Sequence, residues 1–380
     1  MQRRVLVLSA AVGAGHLRAA EAVEAAMRQI APDVEVENHD VLQFTNAVFR
    51  RMYGKAYLDL VNRAPHVVGY FYDWLEGDGE RRERKSDYLR RAVQKVNLRA
   101  FEKFLTASPW NLVINTHFLA AELIASLRNK GELGLPQVTV CTDFDTHRLW
   151  VNQPCERYFC ATDEGSLHLQ HWGVPAEDID VTGIPIMPAF AAPVDRAAYL
   201  AKHKIAGDWP VVLQLCGGFG VGPVEQVYQG LLEVTTPVDL VVICGRNEEL
   251  KQRLIATQGQ SRHRLHILGH TSEMDQWMGC ADLIVSKPGG LTTSEILARG
   301  VPMVVVNPIP GQESRNSDYL LENGAAVKTN HPCLLGPKVS QILSDPARLA
   351  RMREAACSLG HPHAAVDVVR RSLAVIGMTV

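Results

Sequence analysis

Short β-branched runs alternate with helical patterns along most of the 380-residue chain, and no other feature restricts the fold more. Strands that recur after each helical stretch mark parallel sheets with crossover helices. In the first half, strands are predicted at Val5–Ser9, Val34–Val36, Leu112–Asn115, Gln137–Thr142, Arg157–Cys160 and Asp180–Val181. GIPIMPAFAAPVD, Gly183 to Asp195, is proline-rich and aperiodic, which reads as a linker. The alternation then restarts at Val211–Cys216, Leu240–Cys244, Leu265–Leu268, Leu283–Val285, Met303–Val306 and Ala325–Val327. The fold class is therefore α/β, with two doubly wound, Rossmann-like domains over 1–185 and 209–360 and a linker over 186–208. A last helical segment within 361–380 is placed to return to the first domain. Ligands of such sheets bind beyond the carboxyl ends of the strands, so two facing domains would put the site in the cleft between them.

Composition narrows the partners. With 47% hydrophobic and 21% charged residues, the chain reads as an ordinary soluble globular protein. A net charge of -2 argues against nucleic acid as partner. No apolar run reaches the roughly 18 residues needed to span a bilayer, and Met1–Arg4 runs straight into a strand, leaving no room for a signal peptide. The eight cysteines lack CxxC spacing and fall largely in strands, as reduced core residues of a cytoplasmic protein do.

Residues 44–105 break the alternation with aromatic and basic helical patterns. Between Arg81 and Lys103 stand nine Lys or Arg against three Asp or Glu. The bland reading is a solvated helix face over an aromatic core. The alternative is an interfacial element, with Arg81, Arg82, Arg84 and Lys85 on an anionic membrane surface.

Glycine-rich loops at strand ends carry the chemistry. VLVLSAAVGAGH leads from the first strand through Gly13 and Gly15 to His16, but lacks the third glycine of the dinucleotide fingerprint and any following Gly-Lys-Ser/Thr. In the second half, SKPGGLTTSE offers Gly289 and Gly290 for close approach, with Thr292, Thr293 and Ser294 opening a helix that can hold a phosphate. Glu295, expected in its first turn, either offsets the helix dipole or takes a pair of ribose hydroxyls. CGGFGVGP follows the domain's first strand, and IPGQESRN places Gln312 and Glu313 after a Pro-Gly turn, where sugar hydroxyls would suit them.

GAGH, VCTDFDTHRLW, CATDE, VTGIPI, QLCGGFG, SKPGGLTTSEILARGVP and PGQESRN occur in the order seen in the monogalactosyldiacylglycerol synthases and bacterial diacylglycerol glucosyltransferases of glycosyltransferase family 28. The chain resembles that family from Val5 to about Lys328. The resemblance implies a GT-B fold, a UDP-sugar donor in the C-terminal domain and diacylglycerol as acceptor on the N-terminal one, at the cytoplasmic face of a membrane. By that likeness Glu295 holds the ribose, and Thr292 and Thr293 meet the diphosphate with Gly217, Gly218 and Phe219. Gln312 and Glu313 read the sugar, and the uracil lies near Gly269 and His270.

The loop of Gly13 and Gly15 would then face the donor, with His16 as base for the acceptor hydroxyl, since histidine titrates in the right range. Asp143 is the rival, as base or as orienter of His16; His117 and His147, at or beyond strand ends, are further lining candidates. Asp143-Phe144-Asp145 has metal-binding spacing but falls in the acceptor domain, and helix N-termini can stabilise departing UDP, so neither metal nor cofactor is expected. Two alternatives stay open: transfer of GlcNAc to a polyprenyl-linked acceptor, and a soluble UDP-GlcNAc 2-epimerase. Glucose, galactose and glucuronate are not distinguished.

Overall fold

In the computed structural model, residues 3–11, 13–45, 99–216, 223–257, 259 and 261–380 are described. Gly217, Gly218 and Phe219, and the basic run at Arg81, Arg82, Arg84 and Lys85, lie outside the described residues. The chain divides into two compact units: Met1–Pro188, Pro310–Gln312 and His363–Val380 in the first, Ala189–Ile309 and Glu313–Pro362 in the second.

The first unit holds β1 (Arg4–Ser9), α1 (Ala14–Ile30), β2 (Glu35–Asp40), α2 (Arg99–Ala107), β3 (Leu112–Asn115), α3 (Phe118–Asn129), β4 (Gln137–Val140), β5 (Arg157–Cys160), α4 (Asp163–His171) and β6 (Ile179–Val181). Its sheet is parallel, in the order β2-β1-β3-β4-β5-β6. Side chains alternate across it with period two, as the pleat requires. Val5 and Val7 face one core, with Ala22, Val23 and Ala26 of α1, while Leu6 and Leu8 face another, with Phe101 and Leu105 of α2 and Leu119, Leu123 and Ile124 of α3. Each such fully buried aliphatic side chain contributes about 1.5–3 kcal/mol relative to exposure.

The second unit holds α5 (Arg196–Lys202), β7 (Val211–Leu215), α6 (Val224–Leu232), β8 (Asp239–Ile243), α7 (Glu248–Ala256), β9 (Arg264–Leu268), α8 (Met274–Cys280), β10 (Leu283–Ser286), α9 (Gly290–Ala298), β11 (Met303–Val306), α10 (Gln312–Glu322), β12 (Ala326–Thr329), α11 (Leu335–Leu343) and α12 (Pro346–Leu359). Its parallel sheet runs β12-β11-β10-β7-β8-β9. The last helix, α13 (Ala364–Val375), belongs to the first unit, where Ala365, Val368, Val369 and Leu373 join the core with α1.

β2 departs most from the sequence expectation, starting one residue later than Val34 and running four residues past Val36. Its Glu35, Glu37, Asn38, His39 and Asp40 give no apolar signal. They form a strand because β1 pairs with them from Arg4↔Glu35 to Ser9↔Asp40, and Arg4 makes ion pairs with Glu35 and Glu37. At the described ends of the 44–105 segment, the aromatic residues turn inward. Phe101 is fully buried, and Phe44 lies 5.5 Å from Phe101 and 4.6 Å from Phe104 between ring centroids. No helix among the described residues is long and apolar enough to cross a membrane.

Candidate functional site

Each sheet has one point where chain order reverses, and ligands of doubly wound sheets collect at such points. In the first unit it lies between β1 and β3, whose following segments carry His16 and His117. Gly13 caps α1 in an extended conformation, and a methyl group placed on Gly13 or Gly15 would meet open space. The chain's own packing therefore does not demand glycine at either position.

His16 is the third residue of α1. Its Nδ1 lies 3.2 Å from the Thr116 carbonyl and 2.7 Å from Thr142 Oγ1. A carbonyl only accepts, so the neutral ring carries its proton on Nδ1 and leaves a lone pair on Nε2. Thr116 Oγ1 donates back to the His16 carbonyl at 3.1 Å, pinning the helix start to the tip of β3. Burial lowers the pKa of His16, and the opposing charge of Asp143 only partly offsets it. The ring is thus neutral at neutral pH with Nε2 open, as a general base requires.

His117 is the N-cap of α3, its Nδ1 accepting from Leu119 N–H at 3.0 Å. Burial, with His16 and His147 beside it, pushes its pKa well below the usual value. Trp150 Nε1 donates to Asp143 Oδ2 at 2.8 Å, and His147 Nε2 stands 3.4 Å from the same oxygen. Burial pushes the Asp143 carboxyl up, but His147, His16 and Trp150 outweigh it and hold it below the usual range. Phe118 closes the cluster, with its ring centroid 4.2 Å from His117, 5.4 Å from His147 and 5.6 Å from Trp150. The orienter of His16 is thus Thr142 with Thr116: Asp143 acts on His16 through charge, its hydrogen bond going to Trp150. Asp145 turns away to His168 at 2.5 Å. Among the described residues, no group of three or more His, Cys, Asp or Glu is placed to hold a metal ion.

The second sheet reverses between β7 and β10, so the loop after β10 sits at its switch point. The helix α9 starts earlier than the sequence suggested. The strand ends at Ser286, Gly289 after Pro288 takes the extended N-cap conformation, and Gly290 is the first helical residue. Glu295 is therefore in the second turn, not the first, and only 6% exposed. Thr293 is fully buried and its N–H already donates to the Gly289 carbonyl at 2.8 Å. Its buried hydroxyl has no hydrogen-bond partner among the described residues. The N–H groups left without an intrahelical partner are those of Gly290, Leu291 and Thr292.

Gln312 opens α10, and both polar atoms of its buried amide lack a partner among the described residues. Glu313 Oε2 accepts from Ile309 N–H at 2.7 Å, while its Oε1 lies 3.9 Å from where a Cβ on Gly289 would be. Burial raises the Glu313 pKa. Asn316 Nδ2 donates to the Pro288 carbonyl at 2.8 Å, tying α10 to the glycine loop. Between them β11 is followed by Asn307 with φ 45°, a left-handed residue before Pro308 that stores about 1–3 kcal/mol of strain. Gly269 and His270 follow edge strand β9, three strand spacings from β10, or about 14 Å. Thr116, Thr142, Trp150 and Asn316 were not singled out from sequence, although the last three stand inside motifs that were.

Residues 16–186 match the family model described as monogalactosyldiacylglycerol (MGDG) synthase, and 220–358 match glycosyl transferases group 1. A processive diacylglycerol β-glucosyltransferase of Bacillus mycoides (strain KBAB4) is 31% identical, covering 98% of this chain and 93% of the relative. The enzyme of that name in Bacillus cereus (strain B4264) is 30% identical with the same coverage. Among solved structures, Acinetobacter baumannii MurG superposes with a TM-score of 0.60 at 17% identity, covering 98% of this chain and 99% of that one. A UDP-N-acetylglucosamine 2-epimerase, so described as putative, from Listeria monocytogenes gives 0.61 at 15%, covering 100% and 98%. These distant likenesses show the GT-B architecture of two Rossmann-like domains. Identity at 31% over nearly the full length shows more: the chain belongs to the monogalactosyldiacylglycerol synthase and diacylglycerol glucosyltransferase family.

Proposed function

We propose that this protein transfers glucose from UDP-glucose to diacylglycerol at the cytoplasmic surface of an anionic membrane, with inversion at the anomeric carbon. Kinship supports the substrates, since the relatives that match over nearly the whole chain are named as diacylglycerol β-glucosyltransferases. The observation that carries the chemistry is His16 Nδ1 against the Thr116 carbonyl, which reserves Nε2 for a proton. The acceptor hydroxyl oxygen attacks C1 of the sugar, the bond from C1 to the diphosphate oxygen breaks, and the hydroxyl proton passes to His16 Nε2. UDP leaves with the bonding electrons. The donor is held by Glu295 at the ribose, by Gln312 and Glu313 at the sugar, and by the amides of Gly290 to Thr292, with Gly217, Gly218 and Phe219, at the diphosphate. Hydrogen-bond donors and a helix N-terminus aimed at that charge are the usual protein means of stabilising a leaving anion, so the reading calls for no metal.

The test is UDP release from UDP-glucose, UDP-galactose, UDP-glucuronate and UDP-GlcNAc, with and without diacylglycerol in anionic vesicles, and with and without EDTA. The expected result is release with UDP-glucose alone, dependent on lipid and indifferent to EDTA. Consumption of UDP-GlcNAc without lipid would replace the reading with an epimerase.

A further inference from the structure

At the switch point of the first sheet two histidine rings meet edge to face, their centroids 4.5 Å apart and their planes at 74°. Their protons are fixed in opposite senses. His16 has its proton on Nδ1, because the Thr116 carbonyl can only accept, and its Nε2 is bare. His117 has a bare Nδ1, because Leu119 N–H points into it, and its proton is on Nε2. That Nε2 has no partner among the described residues. Nor does His117 readily take a second proton, since Nδ1 is occupied, the ring caps the positive end of α3, and burial opposes charge. One ring can only accept at its open nitrogen, and its neighbour can only donate.

We propose that His117 contacts the acceptor lipid, its Nε2–H donating to an ester carbonyl of diacylglycerol while the adjacent hydroxyl gives its proton to His16 Nε2. The inference rests on the reading of His16 as base and of diacylglycerol as acceptor. A donor aimed at the attacking oxygen itself would draw electron density from the nucleophile and oppose the reaction. The neighbouring ester carbonyl is an acceptor without that penalty, and it has no counterpart in an ether lipid. The pair of rings would therefore recognise a hydroxyl beside an ester rather than a hydroxyl alone.

The experiment compares a 1,2-diacylglycerol with the 1,2-dialkylglycerol of the same chain length, in the same vesicles, with wild type and His117→Asn. Asparagine keeps an oxygen to cap α3 but loses the Nε2–H, so the variant separates contact from capping. Wild type should prefer the diacyl lipid by about three- to tenfold in kcat/KM, as expected for one neutral hydrogen bond. His117→Asn should abolish that preference while leaving the KM for UDP-glucose and the Tm unchanged. Equal use of both lipids by wild type, or an intact preference in the variant, would overturn the assignment and leave His117 a helix cap. The wild-type comparison needs no variant to fold. A His16→Ala enzyme with full turnover would instead remove the base, and the diacyl-to-dialkyl ratio would still report on His117.

Discussion

The His16 cluster and the Gly289 loop handle their polar groups differently. Around His16 two ring nitrogens already have partners, Nδ1 of His16 the Thr116 carbonyl and Thr142 hydroxyl, and Nδ1 of His117 the Leu119 N–H. Around Gly289 the protein has left choices open. The Thr293 hydroxyl and Asn316 Oδ1 are buried with no partner among the described residues. A buried polar atom without a partner costs about 1–3 kcal/mol, which a ligand that pairs it recovers. Proton transfer needs a tautomer settled beforehand; ligand binding profits from hydrogen bonds not yet made. On the proposed function, the His16 cluster would serve the proton transfer and the Gly289 loop the holding of a polar substrate.

The hardest test of that contrast is His16→Ala. It should lower kcat by about a hundredfold or more and leave the KM for UDP-glucose unchanged. Wild-type turnover would remove proton chemistry from the first unit. In the second unit Glu295→Gln should do the converse, raising the donor KM by about ten- to a hundredfold with kcat kept, the size of a lost hydrogen bond to a charged group. An unchanged donor KM would free Glu295 from the ribose and leave it a buried structural carboxylate. The smallest effect sharpens the comparison within the first unit. The lowered pKa of His16 puts the acid limb of the kcat/KM profile below the usual histidine range, because activity is lost only when the base becomes protonated. Asp143 opposes that lowering, so Asp143→Asn should move the limb further toward acid. A collapse of kcat without that shift would make Asp143 the base.

The sheets were legible in the sequence because parallel strands buried on both faces read as plain apolar runs, as Val5–Ser9 and Met303–Val306 do. β2 was mostly hidden, since an edge strand of Glu, Asn, His and Asp owes its form to a partner over 30 residues away. The site was legible to the extent that it uses strand-end glycines and histidines. Thr142 was missed for a physical reason. Its hydroxyl matters only because the chain just past β4 meets the start of α1, bringing together residues 126 positions apart. The start of α9 was misplaced because Thr-Thr-Ser looks like a cap, whereas the extended Gly289 after Pro288 already serves as one.

The return of α13 to the first unit has a consequence for how the protein is made. Ala365, Val368, Val369 and Leu373 complete a core that includes Val5 and Val7 of the first strand. A ribosome adding about 5–20 residues per second needs roughly 10–35 s to travel from Pro188 to that helix. Throughout that interval α1 alone covers that face of the first sheet, and the part that α13 will fill stays open, while the second unit, almost continuous in sequence, can close ahead of it. The first half to be synthesised is therefore the last to be finished.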